Sequence, residues 1–373
     1  MTIEDLFFEL LQVSLNRRER LSHIPTDREW EILYSMCQMQ AVVGMMVPAL
    51  DSLSRQGQKP NLDILLDWIG FGGQIKQQNM IVNRDAVDLC RKLQEDGFYC
   101  CILKGQGNNL LYPNPWHRNP GDVDVWIKKL VSGKNTEIRD IIIYVRGRNP
   151  DGNAMYHHID YGLFQETEVE VHYRPSFMFN PLHNRRIQRW FVDHAEEQFL
   201  NKAELPDGTG MVCVPTPEFN VIFQLSHVYN HLLHEGIGLR QIVDYYYVLK
   251  AITDSTNHTD LYKTLRYLGM GKIAGAMMWM MHVKLGLEDK YFIAPMDEKR
   301  GKALLAEIMR GGNFGFYDNE NQNVNSRMRK NILRVRRDLR MMKYFPSECF
   351  WEPVFRVYHF FWRIRYNSKR LLC

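Results

Sequence analysis

The chain has 373 residues, enough for two or three structural units at ~150 residues each. Hydrophobic residues make up 45% and charged residues 24%, ordinary proportions that exclude a disordered, collagen-like or coiled-coil chain. The net charge of +4 hides a division: residues 327–373 hold thirteen Lys and Arg against three acids, a local +10 that leaves −6 upstream. The seven cysteines are scattered with no C-x-x-C pair, so neither a zinc ribbon nor a disulfide framework is suggested and a reducing compartment fits. MTIEDLFFELL lacks the basic start, apolar core and cleavage site of a signal peptide. No uncharged apolar run reaches the ~18 residues that span a bilayer. The expected location is cytoplasmic.

Residues 1–96 read as a helical region with turns near Ser22–Pro25 and Lys59–Pro60. Thr26 and Glu29 supply a capping box. Trp30, Leu33, Tyr34, Cys37, Val42, Met45, Met46 and Leu50 recur at three- and four-residue steps, as one buried helix face requires. The period changes at Gly97, where Phe98–Leu103 reads as a buried strand closing at Lys104-Gly105. A brief helix is expected over Gly105–Leu111, followed by a loop dense in turn residues from Tyr112 to Gly121. Strand candidates follow at Asp122–Ile127, His158–Phe164 and Glu168–His172, the last two joined as a hairpin through Gln165-Glu166-Thr167. Ile141–Val145 favours a strand by composition.

From 176 to 373 the chain returns to helices, expected at 185–200, 217–235, 239–251, 260–268, 272–285, 298–310 and 327–343, with a polar Gly/Asn-rich loop over 311–325. The fold expected is α+β: a small mixed β-sheet core over 97–175 between a helical N-terminal region (1–96) and a helical C-terminal region (176–373) that ends in the basic tail.

The chemistry concentrates in the sheet. Asp122 and Asp124, two apart on a strand, point to one face, and Glu170 and Glu168 on a neighbouring strand can be brought beside them. Converging carboxylates raise one another's pKa unless a cation neutralises them, and oxygen-only ligation favours Mg²⁺ or Mn²⁺. Taken alone, Asp-x-Asp also fits the solvent face of an edge strand. Seventeen residues earlier, Lys104-Gly105-Gln106-Gly107 opens a helix from a strand end, a place where backbone N–H groups meet phosphates. Lys104 and Arg118 are the charged donors at hand, Arg118 being suited to bidentate contact.

Leu103-Lys104-Gly105, Leu110, Tyr112-Pro113, Arg118, Gly121-Asp122-Val123-Asp124-Val125 and Val169-Glu170-Val171-His172 together resemble the uncharacterised nucleotidyltransferase family of the polymerase-beta-like superfamily. The resemblance is strong over 97–175 and extends weakly to Leu239-Arg240 and Asp244. It implies transfer of a nucleoside monophosphate from a nucleoside triphosphate to an acceptor hydroxyl, with pyrophosphate leaving. Asp122, Asp124 and Glu170 would then be catalytic and hold the metals, and Lys104, the Gly105-Gln106 turn and Arg118 would hold the phosphates. Gln106, where the superfamily usually has Gly or Ser, and the long 106–121 connection depart from the pattern. His172 shares the Glu170 face and is an active-site candidate as well as a plain strand histidine.

His227, His231 and His234 stand at i, i+4 and i+7, but without the glutamate of an H-E-x-x-H site, so packing or lining of an acceptor pocket is the expectation. The acceptor itself, whether small molecule, protein or RNA, is not singled out. Residues 346–373 interleave aromatics with arginines, a pattern for a helix packed on the body with snorkelling arginines, or for contact with an anionic surface. Two other functions remain open: a non-catalytic nucleotide- or partner-binding regulator on the same fold, and a nucleic-acid-binding protein using the tail.

Overall fold

The computed structural model describes residues 1–129, 138–253, 256–313 and 327–367, with side chains in the last stretch from 331. Four helices come first: α1 (Ile3–Ser14), α2 (Asp27–Met39), α3 (Val43–Arg55) and α4 (Leu62–Glu95). Thr26 and Glu29 form both halves of the expected capping box on α2. Gly44 in α3 is a close-approach position, because a Cβ there would sit 2.5 Å from the His117 carbonyl oxygen. That contact presses α3 onto the loop that precedes the Asp-x-Asp strand.

The sheet elements are β1 (Phe98–Leu103), the short α5 (Gly105–Asn109), β2 (Val123–Lys129), α6 (Ile138–Arg146), β3 (His158–Asp160) and β4 (Val169–His172). Strand order is β1-β2-β4-β3. β1/β2 and β3/β4 are antiparallel and β2/β4 parallel, so the sheet is mixed. The stretch that composition assigns to a strand, Ile141–Val145, lies in helix α6. Ile141, Ile142 and Val145 are its buried apolar side chains, spaced for one helix face. Periodicity thus outweighs the β-propensity of isoleucine. As the connection between the parallel strands β2 and β4, a helix is also what the topology requires.

The rest comprises α7 (Pro181–Asp193), α8 (Ala195–Leu200), β5 (Lys202–Leu205), β6 (Gly210–Cys213), α9 (Pro217–His234), α10 (Leu239–Lys250), α11 (His258–Tyr267), α12 (Gly271–Leu285), α13 (Glu298–Gly311), α14 (Arg327–Met342) and α15 (Pro346–Asn367). The helix expected at 185–200 begins earlier, where Asn180 caps the N–H groups of Leu182 and His183, and breaks at His194. The β5–β6 hairpin interrupts a region expected to be wholly helical. Its turn uses Asp207 and Gly208 at φ 57° and 66°, the left-handed conformation that Asp-Gly sequences supply. Most of the 311–325 loop, like Lys369 and Arg370 of the tail, lies outside the described residues.

Buried apolar side chains from Leu6 to Trp362 join one cluster, so all three segments share a core. In α15, Phe355 and Trp362 are buried on the body while Phe350, Val357, Phe361 and Ile364 stay exposed. The six described cysteines are buried free thiols. Among the described residues, no helix is long and apolar enough to cross a membrane.

Candidate active site

β1 ends opposite Asp124, with Leu103 as its register partner. The chain then turns through Lys104 and Gly105, at φ 45° and 40°, into α5. The dihedral, more than the space, calls for glycine at 105, since a Cβ there would meet the Asp122 carbonyl oxygen at 3.4 Å. A buried amide network holds this turn. Gln106 donates to Asn83, Asn109 Nδ2 donates to Asn79 Oδ1 at 2.9 Å, and Asn79 Nδ2 donates to the Arg118 carbonyl at 2.8 Å. The Gln106 side chain therefore faces α4, and its substitution for a smaller residue has a structural use.

β2 begins at Val123, so Asp122 sits at its mouth and Asp124 within it. Asp124 and Glu170 are register partners across the parallel pair β2/β4, and His158 and His172 across β3/β4. These two registers bring the acids and imidazoles together. Lys104 Nζ lies 2.8 Å from Asp124 Oδ1, and His172 Nε2 lies 2.8 Å from the same oxygen and 3.2 Å from Glu170 Oε2. His158 Nδ1 is 3.0 Å from Glu170 Oε2.

The charge of Asp124, then burial, pushes Asp122 up to about 6 even with Lys104 nearby. Burial works against the charge of Glu170, but hydrogen bonds from His158 and His172 hold it well below the usual range. Burial likewise opposes the charged form of His172, which hydrogen bonds to Asp124 and Glu170 nevertheless lift to about 9. The Lys104 ammonium, disfavoured by burial, is stabilised by Asp124, Asp122 and Glu170. Paired acids with this much mutual strain fit a divalent cation, since a dication relieves the repulsion that raises Asp122.

The carboxylates open onto a cavity of about 300 Å³. Arg118 lines it but is committed elsewhere: its guanidinium, 5% exposed, grips Asp244 with Nε to Oδ1 at 2.7 Å and Nη2 to Oδ2 at 2.9 Å. Tyr112 donates to Asp244 Oδ1 at 2.7 Å. Arg240, one helical turn before Asp244, reaches the cavity beside Asp122, with Nη1 3.4 Å from the Cβ position of Gly121. Helix α9 supplies the opposite wall through Gln224, His227, Asn230, His231 and His234, so the histidine series lines the pocket. His227 Nε2 lies 3.5 Å from Lys104 Nζ. Burial first, and Lys104 next, hold this imidazole well below its usual pKa.

Arg240, Gln224, His157 and His158 went unrecognised as site residues in the sequence. Gln224 has no local signal, because a helix register decides it, and Arg240 is marked only by the weak resemblance over Leu239-Arg240 and Asp244. The adjacent His157-His158 pair is visible in the sequence, but only the β3/β4 register places it opposite His172.

An α+β fold with a small mixed sheet, carrying a glycine turn, Asp-x-Asp and a third carboxylate beside one cavity, is the plan of a nucleotidyltransferase. Residues 26–286 match the family described as "Uncharacterised nucleotidyltransferase", and the chain belongs to that family. Among solved structures, it is similar to an antigenic nucleotidyltransferase-like protein from Paracoccidioides brasiliensis, at 14% identity and a TM-score of 0.34, over 58% of this chain and 94% of that one. No curated protein matches.

Proposed function

We propose that the protein transfers a nucleoside monophosphate from a nucleoside triphosphate to an acceptor hydroxyl, with divalent-metal help. The acceptor oxygen attacks the α-phosphorus, the bond to the β-phosphate oxygen breaks, and pyrophosphate leaves. The observation that carries this reading is the lateral pairing of Asp124 with Glu170 next to Asp122 and the Gly105 turn, all facing one cavity. Asp122, Asp124 and Glu170 would hold Mg²⁺ or Mn²⁺, which when bound neutralises phosphate charge and stabilises the entering and leaving oxygens. Lys104 and Arg240, which line the cavity beside the acids, would hold the phosphates, and the Gly105 turn would let them approach closely. Arg118 acts through Asp244, fixing the loop over 112–121 and the helix that carries Arg240. His227 and His231 face the acceptor side, and His227, held neutral by burial and by Lys104, would accept its proton.

The three segments 1–96, 97–175 and 176–373 serve as helical support, catalytic core and acceptor-side cover. Free buried thiols suit a cytoplasmic setting. The exposed Phe361 and Ile364, with Arg363 and Arg365 beside them in the sequence, suit contact of residues 346–373 with an anionic lipid surface. A second reading, a regulator that binds nucleotide without turnover, is favoured by one observation: the Lys104 ammonium already neutralises Asp124.

The test is thermal stability with each of the four nucleoside triphosphates, with and without Mg²⁺ or Mn²⁺, for wild type and the Asp122→Asn/Asp124→Asn variant, followed by pyrophosphate release. Metal-dependent stabilisation lost in the variant, with pyrophosphate formed by wild type, is expected. Stabilisation without pyrophosphate under any acceptor supports the regulator, and undiminished transfer by the variant overturns the assignment.

A further inference from the structure

A second cavity, of about 600 Å³, lies on the other side of α9 from the catalytic one, and the two share none of their described lining residues. Three helices, each of at least 14 residues, start at its wall: α12 at Gly271, α13 behind its cap Asp297, and α15 at Pro346. A helix start brings unpaired N–H groups and the positive end of a dipole. Asp297 satisfies the α13 start, accepting from Arg300 N at 3.0 Å, and pairs with the Arg300 side chain. The α12 start has no such partner. Its N-cap is Met270, no side chain caps it, and the Gly271 and Lys272 N–H groups meet no acceptor among the described residues.

Two further features point to a ligand. Tyr229 of α9 lines this cavity, is 3% exposed, and its hydroxyl has no hydrogen-bond partner among the described residues. Burial first, and the charge of Glu348 next, raise its pKa, so it stays an O–H donor. Glu348 is already engaged, accepting from the Phe179 and Asn180 N–H groups and bonded to His183 Nδ1. The second feature is charge. Arg266 and Lys272 line the cavity with no ion pair among the described residues, while the lining acid Asp297 is neutralised by Arg300. Glycine at 271 lets the Arg266 stem cross the α12 start, since a Cβ there would sit 2.8 Å from Arg266 Cγ. A buried donor without an acceptor, free helix N–H groups and two unpaired cations fit an anion. Tyr262 and Phe345 of the same lining fit a flat apolar body attached to it, and the volume suits a small organic molecule.

We infer that this cavity binds a phosphate monoester of a flat organic group, with the phosphate at the α12 start between Lys272 and Arg266 and the Tyr229 hydroxyl as a further donor. The site stands whether or not the catalytic cavity transfers nucleotides. The experiment is calorimetric titration of the full-length protein with phenyl phosphate and with inorganic phosphate, without metal or nucleotide. Phenyl phosphate should bind at least about fivefold more tightly than inorganic phosphate. Tyr229→Phe removes one oxygen and keeps the ring against Phe345, and should weaken phenyl phosphate about fivefold. Lys272→Glu should weaken it about tenfold or more, and because an acid suits the first turn of a helix, its melting temperature without ligand should match wild type. Lys104→Met, in the catalytic cavity, should leave the affinity within about twofold. Binding lost in Lys104→Met but unchanged in Tyr229→Phe and Lys272→Glu puts the anion in the catalytic cavity and overturns the inference. No heat of binding up to about 10 mM phenyl phosphate, or equal affinity for the two probes, overturns it as well.

Discussion

Replacing Asp244 by Asn measures what the buried Arg118–Asp244 pair contributes to the wall of the cavity. Arg118 and Asp244 are 5% and 4% exposed and joined by two hydrogen bonds, with Tyr112 on the same carboxylate. Removing one member leaves the other charge buried and uncompensated, at about 3–5 kcal/mol. Unfolding entropy of about 2.1 cal/mol/K per residue over 373 residues is about 0.8 kcal/mol/K. The expected fall in Tm is therefore roughly 4–6 °C for Asp244→Asn and for Arg118→Met. The double variant Arg118→Met/Asp244→Asn leaves no stranded charge and should lose less than the two singles together. Scanning calorimetry of the four proteins, with the change evaluated near Tm, gives the coupling. Additive losses, or an Arg118→Met variant that melts with wild type yet no longer binds triphosphate, would refute the reasoning and return Arg118 to direct phosphate contact.

Asp338 on α14 is pushed up to about 8 by burial and by Glu352, with Arg356 and Arg337 nearby and His234 bonded to Glu352. Its unfolded value is about 3.9, so its contribution to stability is full below that and is lost as pH rises through about 8. Asp338→Asn should therefore gain stability on wild type progressively from pH 4 to 9, and a constant difference across that range in urea titrations counts against the shift. Asn79→Ala removes a donor to the Arg118 carbonyl and an acceptor for Asn109, so a loss of about 1–3 kcal/mol in urea unfolding is expected, with weaker triphosphate binding. Lys104→Met removes the ammonium that any cation on Asp124 must displace. Tighter Mn²⁺ binding without nucleotide and weaker triphosphate binding are expected by calorimetric titration, and weaker Mn²⁺ binding contradicts the competition. Vesicles containing phosphatidylserine should retain the full-length protein at low salt, with retention falling steeply as salt rises and lost on Phe361→Asp/Ile364→Asp.

The sequence by itself determined the local elements and the chemistry-bearing strand. Capping residues, helical spacing and the Asp-x-Asp alternation are short-range signals, which is why α2, α9, α12, β1 and β2 fall where the pattern puts them. The same locality explains the failures: isoleucine-rich composition argued for a strand at 141–145, where three buried side chains on one helix face decided otherwise, and the β5–β6 hairpin rests on its packing against β1 and α4. Which charged groups sit beside the acids was a tertiary decision. Arg118 is consumed by Asp244, 126 residues away in the chain, and Arg240 takes the place beside Asp122. Strand register, a long-range property, set His158 against His172 and Asp124 against Glu170, bringing separate acids and imidazoles to one edge of the sheet.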